Sequence, residues 1–320
     1  MATASIGTTS RDYTTYQSWE DFVDGTLSEE QVGECYADSA FTGDIVIDGS
    51  ITTSTNRMRL SVAAGQRHDG TESGGGVVSN PSGSGTHVTL ADPYSVVEWI
   101  RFTGWGGGGW GSSCIEANAD DCTVRYLIVH DETANNFGNG IVVGANNLRI
   151  YRNIVYETGT PTMNDGIADY NGSRSGVVIA NNTVYNLGRY GFRKNAGGTN
   201  GTYQNNVSIG CATADYFFGS AASVESYNAA SDSSVSGTGS ITSQTAANLF
   251  TAVSGAYDLH LKTGANAIDA GTNLGSPYDA DIDADAVSGT WDMGADEVAA
   301  GGGGGSIAPQ YQFMKRRRAA

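Results

Sequence analysis

Apolar and polar residues alternate in several short stretches of the chain, and these stretches resemble one another. Three share an Asn-x-Val core, which begins at Asn153, Asn182 and Asn205 with spacings of 29 and 23 residues. Alternation with a period of two predicts β-strands that bury one face. The stretches that align are "VVEWIRFTG" (96–104), "VRYLIVHD" (124–131), "IYRNIVYETG" (150–159), "IANNTVYNLG" (179–188) and "TYQNNVSIG" (202–210).

A second element recurs between these stretches, with a glycine followed by an apolar residue. Gly140, Gly166 and Gly191 are 26 and 25 residues apart, in "GNGIVV", "NDGIAD" and "RYGFRK". Each unit of about 23–29 residues therefore holds at least two short strands separated by Gly and Asn turns. A unit of this size cannot bury its own apolar face, so the pattern predicts stacked units that share a continuous core.

This pattern resembles the right-handed parallel β-helix of pectate-lyase-like proteins, over roughly residues 40–295. The resemblance implies an all-β solenoid. It also implies that Asn153, Asn182 and Asn205 stack as a ladder of side-chain amides at a turn, which is a structural role rather than a catalytic one.

Both ends of the predicted solenoid have sequences that would close it. Residues 10–25, "SRDYTTYQSWEDFVDG", predict a short capping helix with Ser and Asp as cap candidates. That helix would place Tyr13, Tyr16, Trp19 and Phe22 on one face, over the open end. Residues 267–297 resemble the closing segment of β-helix proteins, but their middle part, "DADIDADAVSG" (279–289), lacks the Arg and Pro that such segments usually carry. We therefore expect no ion pair from an arginine of this segment.

The charge of the chain excludes one class of function. The net charge is −17, and residues 1–300 carry 13 basic against 34 acidic groups because four cations lie in the last twenty residues. Such a body repels nucleic acid, so we expect no nucleic-acid binding. No apolar run approaches the roughly 18 residues that span a membrane, so membrane insertion is not expected.

Cysteine and histidine usage argues against a metal cofactor. The four cysteines lack CxxC spacing and the four histidines are scattered, so no zinc site and no cofactor are expected. Cys114 and Cys122 could form a disulfide, but four cysteines in 320 residues do not make a disulfide scaffold. The first residues lack the basic and apolar regions of a Sec-type signal peptide.

Charged residues on neighbouring predicted rungs are the catalytic candidates. Stacking places matching positions about 4.8 Å apart, which would bring carboxylates beside cations on one sheet. A polysaccharide lyase or glycosidase would use such groups, and two carboxylates could hold Ca²⁺ or act as acid and nucleophile. The structural alternative is that they pair across rungs of an acidic solenoid. The candidates are Asp165, Asp169, Arg193 and Lys194, with His130, Asp131, Glu132 and Glu157 after the other strand.

Two further stretches could bind ligands. Asp279, Asp281, Asp283 and Asp285 alternate in "DADIDADAV". On a strand they would point one way and could bind Ca²⁺, whereas on a turn they would be solvated. Trp105 and Trp110 in "GWGGGGWG" could stack on sugars or pack against a neighbouring subunit, or they could fold back over the solenoid.

The chain ends with a glycine-rich linker (301–306) and a basic, aromatic peptide (307–320), after a predicted single domain at 1–300. Alternating apolar residues suit an extended strand that docks on another protein. The alternative is a frayed end that aids solubility or docks weakly on the acidic body. The residues that we expect to dock are Ile307, Tyr311, Phe313, Lys315, Arg316, Arg317 and Arg318.

The linker and its terminal peptide resemble those of bacteriophage structural proteins. That resemblance implies a virion protein, as a capsid decoration, head fibre or tail-associated spike. It would assemble in the host cytoplasm and become extracellular after lysis. Its partners would be other virion proteins, a cell-surface glycan and further copies of itself, as in a trimer. The alternatives are a lyase or glycosidase of the same fold and a secreted adhesin exported by another route.

Overall fold

A computed structural model describes residues 1–81, 83, 85–106, 112–133, 138–197, 200–222 and 224–298. Within these ranges the chain coils into an all-β parallel solenoid, which confirms the fold class expected from the repeats. Three sheets run along the solenoid, and each turn of the chain contributes one strand to each of them in the regular middle part. Among the described residues no helix is both long and apolar enough to cross a membrane.

Sheet 1 has nine strands and sheets 2 and 3 have seven each. Sheet 1 contains Ala2–Ile6, Gln31–Cys35, Met58–Val62, Val96–Glu98, Thr123–Arg125, Arg149–Tyr151, Val178–Ala180, Thr202–Gln204 and Val224–Ser226. Sheet 2 contains Val78–Ser79, Arg101–Thr103, Ile128–His130, Ile154–Tyr156, Thr183–Tyr185, Val207–Ile209 and Ala229–Ala230. Sheet 3 contains Ile45–Ile47, Val88–Leu90, Ser113–Ala117, Asn139–Val143, Asp165–Asp169, Tyr190–Lys194 and Ala214–Phe218.

The remaining regular elements are short. Helix α1 covers Tyr16–Val23, a 3₁₀ helix covers Ala64–Gln66, and helix α2 covers Ala246–Leu249. An antiparallel hairpin, Phe250–Ala252 with Asp258–Leu261, follows α2. These elements lie before, between and after the rungs, so they leave the parallel stack itself uninterrupted.

Inward-facing apolar side chains stack in register along each sheet and form one core. Sheet 1 contributes a row of Val97, Val124, Ile150, Ile179 and Tyr203. Sheet 2 contributes Phe102, Val129, Val155 and Val184, and sheet 3 contributes Ile115, Ile141, Ile167 and Phe192. All of these side chains are buried. A single rung cannot bury its apolar face by itself, so the core that the stacked rungs share is what stabilises the solenoid.

The turn between sheets 1 and 2 carries the predicted amide ladder, but one member differs from the prediction. Asn153 Nδ2 donates to Asn182 Oδ1 at 2.9 Å, Asn182 Nδ2 to Asn206 Oδ1 at 3.0 Å, and Asn206 Nδ2 to Asn228 Oδ1 at 3.2 Å. The third member is therefore Asn206, and the assignment of Asn205 was wrong. The strand register pairs Thr183 with Val207, which aligns Asn182 with the residue directly before Val207.

The residue before each ladder asparagine adopts a left-handed backbone, with φ of 55° at Arg152, 52° at Asn181, 55° at Asn205 and 55° at Tyr227. This conformation is uncommon for residues other than glycine. It turns the side chain of that residue away from the ladder, as the bonds of Arg152, Asn181 and Asn205 to the C-terminal part of the chain demonstrate.

Helix α1 closes one end of the solenoid, as predicted, although it is shorter than residues 10–25. Thr15 is the N-cap in a capping box with Ser18. Trp19 packs over Gly33, where a Cβ atom would lie 2.7 Å from the indole. Gln17 Oε1 accepts from Val46 N at 2.9 Å and Glu20 Oε1 accepts from Asp48 N at 2.9 Å, which pairs two N–H groups at the free edge of sheet 3. Phe22 is 74 % exposed, so its predicted place on the buried face was wrong.

Residues 267–297, the closing segment, lie along the side of the solenoid instead of forming another rung. Arg152 Nη1 donates to the carbonyls of Gly294 (3.1 Å) and Ala295 (3.3 Å). Asn205 exchanges two hydrogen bonds with the backbone of Thr272, at 2.8 and 2.9 Å. The segment has no arginine of its own, but Arg152 of the solenoid forms an ion pair with Glu297 at 3.5 Å. The closing segment is thus bonded to the middle of the stack.

Candidate functional site

The four catalytic candidates lie on neighbouring strands of sheet 3, as the repeat predicted. Asp165 pairs with Tyr190 in the register, and Asp169 with Lys194. Arg193 Nη1 lies 2.9 Å from Asp165 Oδ2. Tyr170 Oη donates to the same oxygen at 2.8 Å, and this carboxylate is fully buried. Asp165 is therefore held in an ion pair beneath a tyrosine.

The hydrogen bonds of Asp169 and Lys194 stabilise the loops that follow their strands. Asp169 Oδ1 accepts hydrogen bonds from the backbone N–H groups of Asn171 (3.0 Å) and Gly172 (2.8 Å), which fixes the turn after its strand. Lys194 Nζ donates to Ser220 Oγ at 2.7 Å, and burial lowers the pKa of Lys194. These contacts match the structural alternative more closely than a set of converging catalytic groups.

Two small concavities lie elsewhere on the described surface. One, of about 170 Å³, is lined by Asn248, Lys262, Gly264 and Asn266. The other, of about 130 Å³, lies beside α1 near Tyr16 and Phe41. Neither is lined by a catalytic candidate, so neither provides the cleft with converging carboxylates that a lyase or glycosidase requires.

The carboxylates that follow sheet 2 act as caps for backbone N–H groups. Glu132 Oε1 accepts from Gly138 N at 3.1 Å. Glu157 Oε1 accepts from Glu132 N at 3.1 Å and from Met163 N at 3.0 Å. Burial raises the pKa of Glu132 to about 8 and that of Glu157 to about 7. Glu132 and Glu157 occupy equivalent loops on successive rungs, and each is buried because it accepts backbone hydrogen bonds that hold its loop.

The alternating aspartates of the closing segment occupy a turn rather than a strand. Asp281 is buried, and its Oδ1 accepts from the N–H groups of Asp283 (3.0 Å) and Asp285 (2.9 Å). Ala280 and Ala286 form an antiparallel bridge that closes this turn. Asp279, Asp283 and Asp285 are exposed. The one-sided arrangement expected of a Ca²⁺ site on a strand is therefore not formed.

The two tryptophans predicted to bind a sugar or a subunit have different outcomes. Trp105 is fully buried, with its ring edge-on to His87 at 5.7 Å, so it does not offer its indole to a sugar or a neighbouring subunit. Trp110 lies outside the described residues, as do the residues predicted to dock: Ile307, Tyr311, Phe313, Lys315, Arg316, Arg317 and Arg318.

The cysteines are unpaired. Cys114 and Cys122 are both buried and free, so the disulfide considered from their spacing is not formed in this structure. Burial raises the pKa of the Cys122 thiol to about 12, which suppresses its thiolate form. Neither residue has the environment of a reactive thiol.

An aromatic and cationic surface on sheet 3, which the sequence analysis missed, lies beside Asp165. The rings of Tyr190 and Phe217 stack on adjacent rungs, with centroids 4.8 Å apart. The guanidinium groups of Arg189 and Arg193 lie 4.8 and 5.7 Å from the Tyr190 centroid. Phe217 is 36 % exposed and Arg189 is partly exposed, so these two side chains can contact an acidic saccharide by ring stacking and by a guanidinium–carboxylate bond. Tyr190 beneath them is only 9 % exposed, and Arg193 is already paired with Asp165. The signal was present in "RYGFR" and "DYFF", one rung apart.

Neither protein-family models nor curated proteins match the chain. Its function is therefore inferred from the geometry of the solenoid and from the sequence of its last residues.

Proposed function

We propose that this chain is a structural protein of a bacteriophage virion, such as a capsid decoration, a head fibre or a tail-associated spike. It attaches to the particle through its C-terminal peptide and presents the solenoid to solvent or to host glycans. The observation that carries this proposal is that, among the described residues, the solenoid is closed at one end and braced along one side by its own chain. Helix α1 closes one end, and the closing segment is bonded along the side by Arg152, Asn181 and Asn205.

The sequence beyond this body differs from it in composition. The linker at 301–306 is of the kind that tethers two parts, and the peptide beyond it combines apolar residues with four consecutive cations. An apolar and cationic peptide suits a groove or sheet edge on an acidic neighbouring protein. In this proposal Tyr311 and Phe313 provide apolar anchors, and the cations from Lys315 to Arg318 provide charge complementarity.

The surface of Tyr190, Phe217, Arg189 and Arg193 supports the second half of the proposal. Its accessible groups are Phe217, which is 36 % exposed, and the partly exposed Arg189, on a body that is otherwise acidic. An acidic host glycan would find cations here and repulsion over most of the remaining surface. A lyase or glycosidase has less support, because the Asp165 carboxylate is already bound by Arg193 and Tyr170.

The experiment compares the intact chain with a chain that ends at Ala300, both mixed with particles that lack the protein. We expect both to fold, with matching circular dichroism and melting temperature, and only the intact chain to be retained. A full-length variant with Tyr311→Ala and Phe313→Ala tests the apolar anchors without changing charge. Equal retention of the intact and shortened chains would contradict the proposal.

A further inference from the structure

Three asparagines of the chain are each followed directly by a glycine: Asn139, Asn171 and Asn200. In such a pair the backbone nitrogen of the glycine can attack the side-chain amide of the asparagine, because glycine has no side chain to shield that nitrogen. The three pairs have the same chemistry, so their surroundings in the fold decide which of them reacts.

The reaction at such a pair replaces an amide by a carboxylate in two steps. The glycine N–H loses its proton to hydroxide, its nitrogen bonds to the asparagine Cγ, and the Cγ–Nδ2 bond breaks to release ammonia, whose third hydrogen comes from water. Water then opens the resulting succinimide at one of its two carbonyls, which yields aspartate or isoaspartate. A reactive pair therefore needs an N–H that can lose its proton and a backbone that can open locally to bring the nitrogen onto the side chain.

The pair at Asn139 is held inside sheet 3. Asn139 begins the strand Asn139–Val143, which pairs with a strand on either side, and the residue is only 1 % exposed. Asn139 Nδ2 donates to the Ser112 carbonyl at 3.0 Å, and Asn139 Oδ1 accepts from the Tyr170 hydroxyl at 2.6 Å. Attack by the nitrogen of Gly140 would require this strand to leave the sheet, so we expect no reaction here.

The pair at Asn171 is exposed, but a buried carboxylate holds its backbone. Asp169 Oδ1 accepts from Asn171 N at 3.0 Å and from Gly172 N at 2.8 Å, and Asp169 is only 3 % exposed. Gly172 N is the nitrogen that would attack. Removing its proton beside a negative charge is unfavourable, and burial weakens the screening of that charge by solvent. This pair is therefore accessible but protected.

The pair at Asn200 has neither form of protection. Asn200 is partly exposed and lies two residues before the strand Thr202–Gln204. Gly201 N donates a hydrogen bond to none of the described residues. Asn200 Nδ2 donates to the Ser173 carbonyl at 3.0 Å, which is the one hydrogen bond of this side chain to a described residue. Among the bonds to described residues, only that one must break for the side chain to meet the nitrogen of Gly201.

We propose that Asn200 is a modification site, at which a succinimide with Gly201 converts asparagine to aspartate and isoaspartate. The other two pairs persist. Each conversion adds one negative charge to a chain of net charge −17. It also replaces the Nδ2 donor by a carboxylate oxygen that repels the Ser173 carbonyl, so a bond between successive turns of the solenoid is lost. In isoaspartate the main chain also runs through Cβ, which lengthens it directly before a strand of sheet 1. None of this chemistry requires the function proposed above.

The test incubates the full-length protein in mildly alkaline buffer and follows the three pairs by mass spectrometry that locates each modified residue in proteolytic fragments. We expect Asn200 to gain the mass difference between an amide and an acid at least about tenfold faster than Asn139 and Asn171. Isoelectric focusing should show a more acidic species that Asn200→Gln abolishes. In urea, where the fold is lost, the three pairs should react at similar rates.

A matched variant tests the reason for the protection of Asn171. Asp169→Asn keeps an oxygen acceptor for Gly172 N but removes the charge, so it should speed the reaction at Asn171 several-fold and leave that at Asn200 unchanged. Circular dichroism checks its fold, and the wild-type comparison stands without it. Two results would overturn the proposal: an Asn200 that stays intact while the sample in urea reacts, and an Asn171 that reacts as fast as Asn200 in the folded protein.

Discussion

The amide ladder and the closing segment stabilise the same solenoid by different means. The ladder consists of buried neutral amides, from Asn153 to Asn228, that repeat one bonding pattern on each rung. The closing segment contains several buried carboxylates whose pKa burial raises, to about 7 for Asp281, about 6 for Asp292 and about 7 for Glu297. The ladder therefore carries no charge that pH can change, whereas the closing segment does.

The comparison shows that the regular ladder and the irregular closing segment are held by different kinds of interaction. Along the ladder each amide satisfies its neighbour, so no charge is needed. At the closing segment the backbone does not match the rungs, and side chains such as Arg152 and Asn205 supply the missing bonds. We expect the two regions to respond differently to mutation and to pH.

The largest effect should come from breaking the ladder in its middle. Asn182→Ala removes an acceptor for Asn153 N and a donor to the Ile150 carbonyl, and it leaves these buried groups unsatisfied. We expect a loss of roughly 3 kcal/mol or more in the free energy of unfolding. Urea denaturation measures it. Asn248→Ala, at an exposed asparagine, is the control, and an equal loss there would contradict the structural role of the ladder.

A smaller effect is expected from Arg152→Ala, which removes the main bonds between the solenoid and the closing segment. The guanidinium is fully buried and contacts the carbonyls of Gly294 and Ala295. We expect a loss of about 2–3 kcal/mol, with faster hydrogen exchange at 278–297 but not in the strands of sheet 2. Arg57→Ala, in a partly exposed ion pair with Glu30, should cost below about 1 kcal/mol. Uniform exchange throughout the chain would mean that the segment does not open separately.

The adjacent residues Asn205 and Asn206 allow the two regions to be compared within one turn, because Asn206 belongs to the ladder and Asn205 bonds to the closing segment. Asn206→Ala should resemble Asn182→Ala, because Asn206 is a ladder member that accepts from Asn182 N at 3.0 Å. Asn205→Ala should cost about 1–2 kcal/mol, from its left-handed backbone and two bonds to Thr272. Thermal melts of both variants check the order. If Asn205→Ala were the more destabilising, the register described here would be incorrect.

The smallest effect concerns pH and one carboxylate of the closing segment. Burial and the nearby Asp283 and Asp296 carboxylates raise the pKa of Asp281 to about 7, so the folded state binds its proton more tightly than the unfolded state does. Stability is therefore lost as pH rises from about 4 to 7. His260 acts in the same direction, since its contribution is complete below about 6.5 and is lost toward pH 11.

Asp281→Asn keeps the acceptor for the turn but removes this titration. We expect it to stabilise the protein by about 1 kcal/mol at pH 8 and to have almost no effect at pH 4. Melting temperatures across that range provide the measurement. The same substitution at exposed Asp279 is the control, and a similar gain there would assign the effect to net charge instead of burial.

The repeats were sufficient to predict the solenoid because each rung must present the same apolar positions to the core. They were not sufficient for the ladder at Asn205 and Asn206, where two adjacent asparagines fit the pattern and only strand register decides. They also failed for Phe22, because the buried stripe of α1 is Tyr16, Trp19 and Glu20 with partly buried Val23, and Phe22 lies to one side of that stripe.

The sequence predicted which candidate site residues are neighbours, but not what they do. The register of Asp165 and Asp169 followed from the spacing of the glycines. The bond from Tyr170, which buries Asp165, depends on a loop that the repeat does not determine.

The attachment of the closing segment also determines how the protein would respond to mechanical force. A pull on the chain beyond Val298 reaches the solenoid first through Arg152, Asn181 and Thr183, in the middle rungs, and not through the last strand of the stack. Force is then shared among several hydrogen bonds in the middle of the stack, whereas a pull on a terminal rung would act on the bonds of that rung first. A solenoid tethered by its C-terminus would therefore resist unravelling from that end.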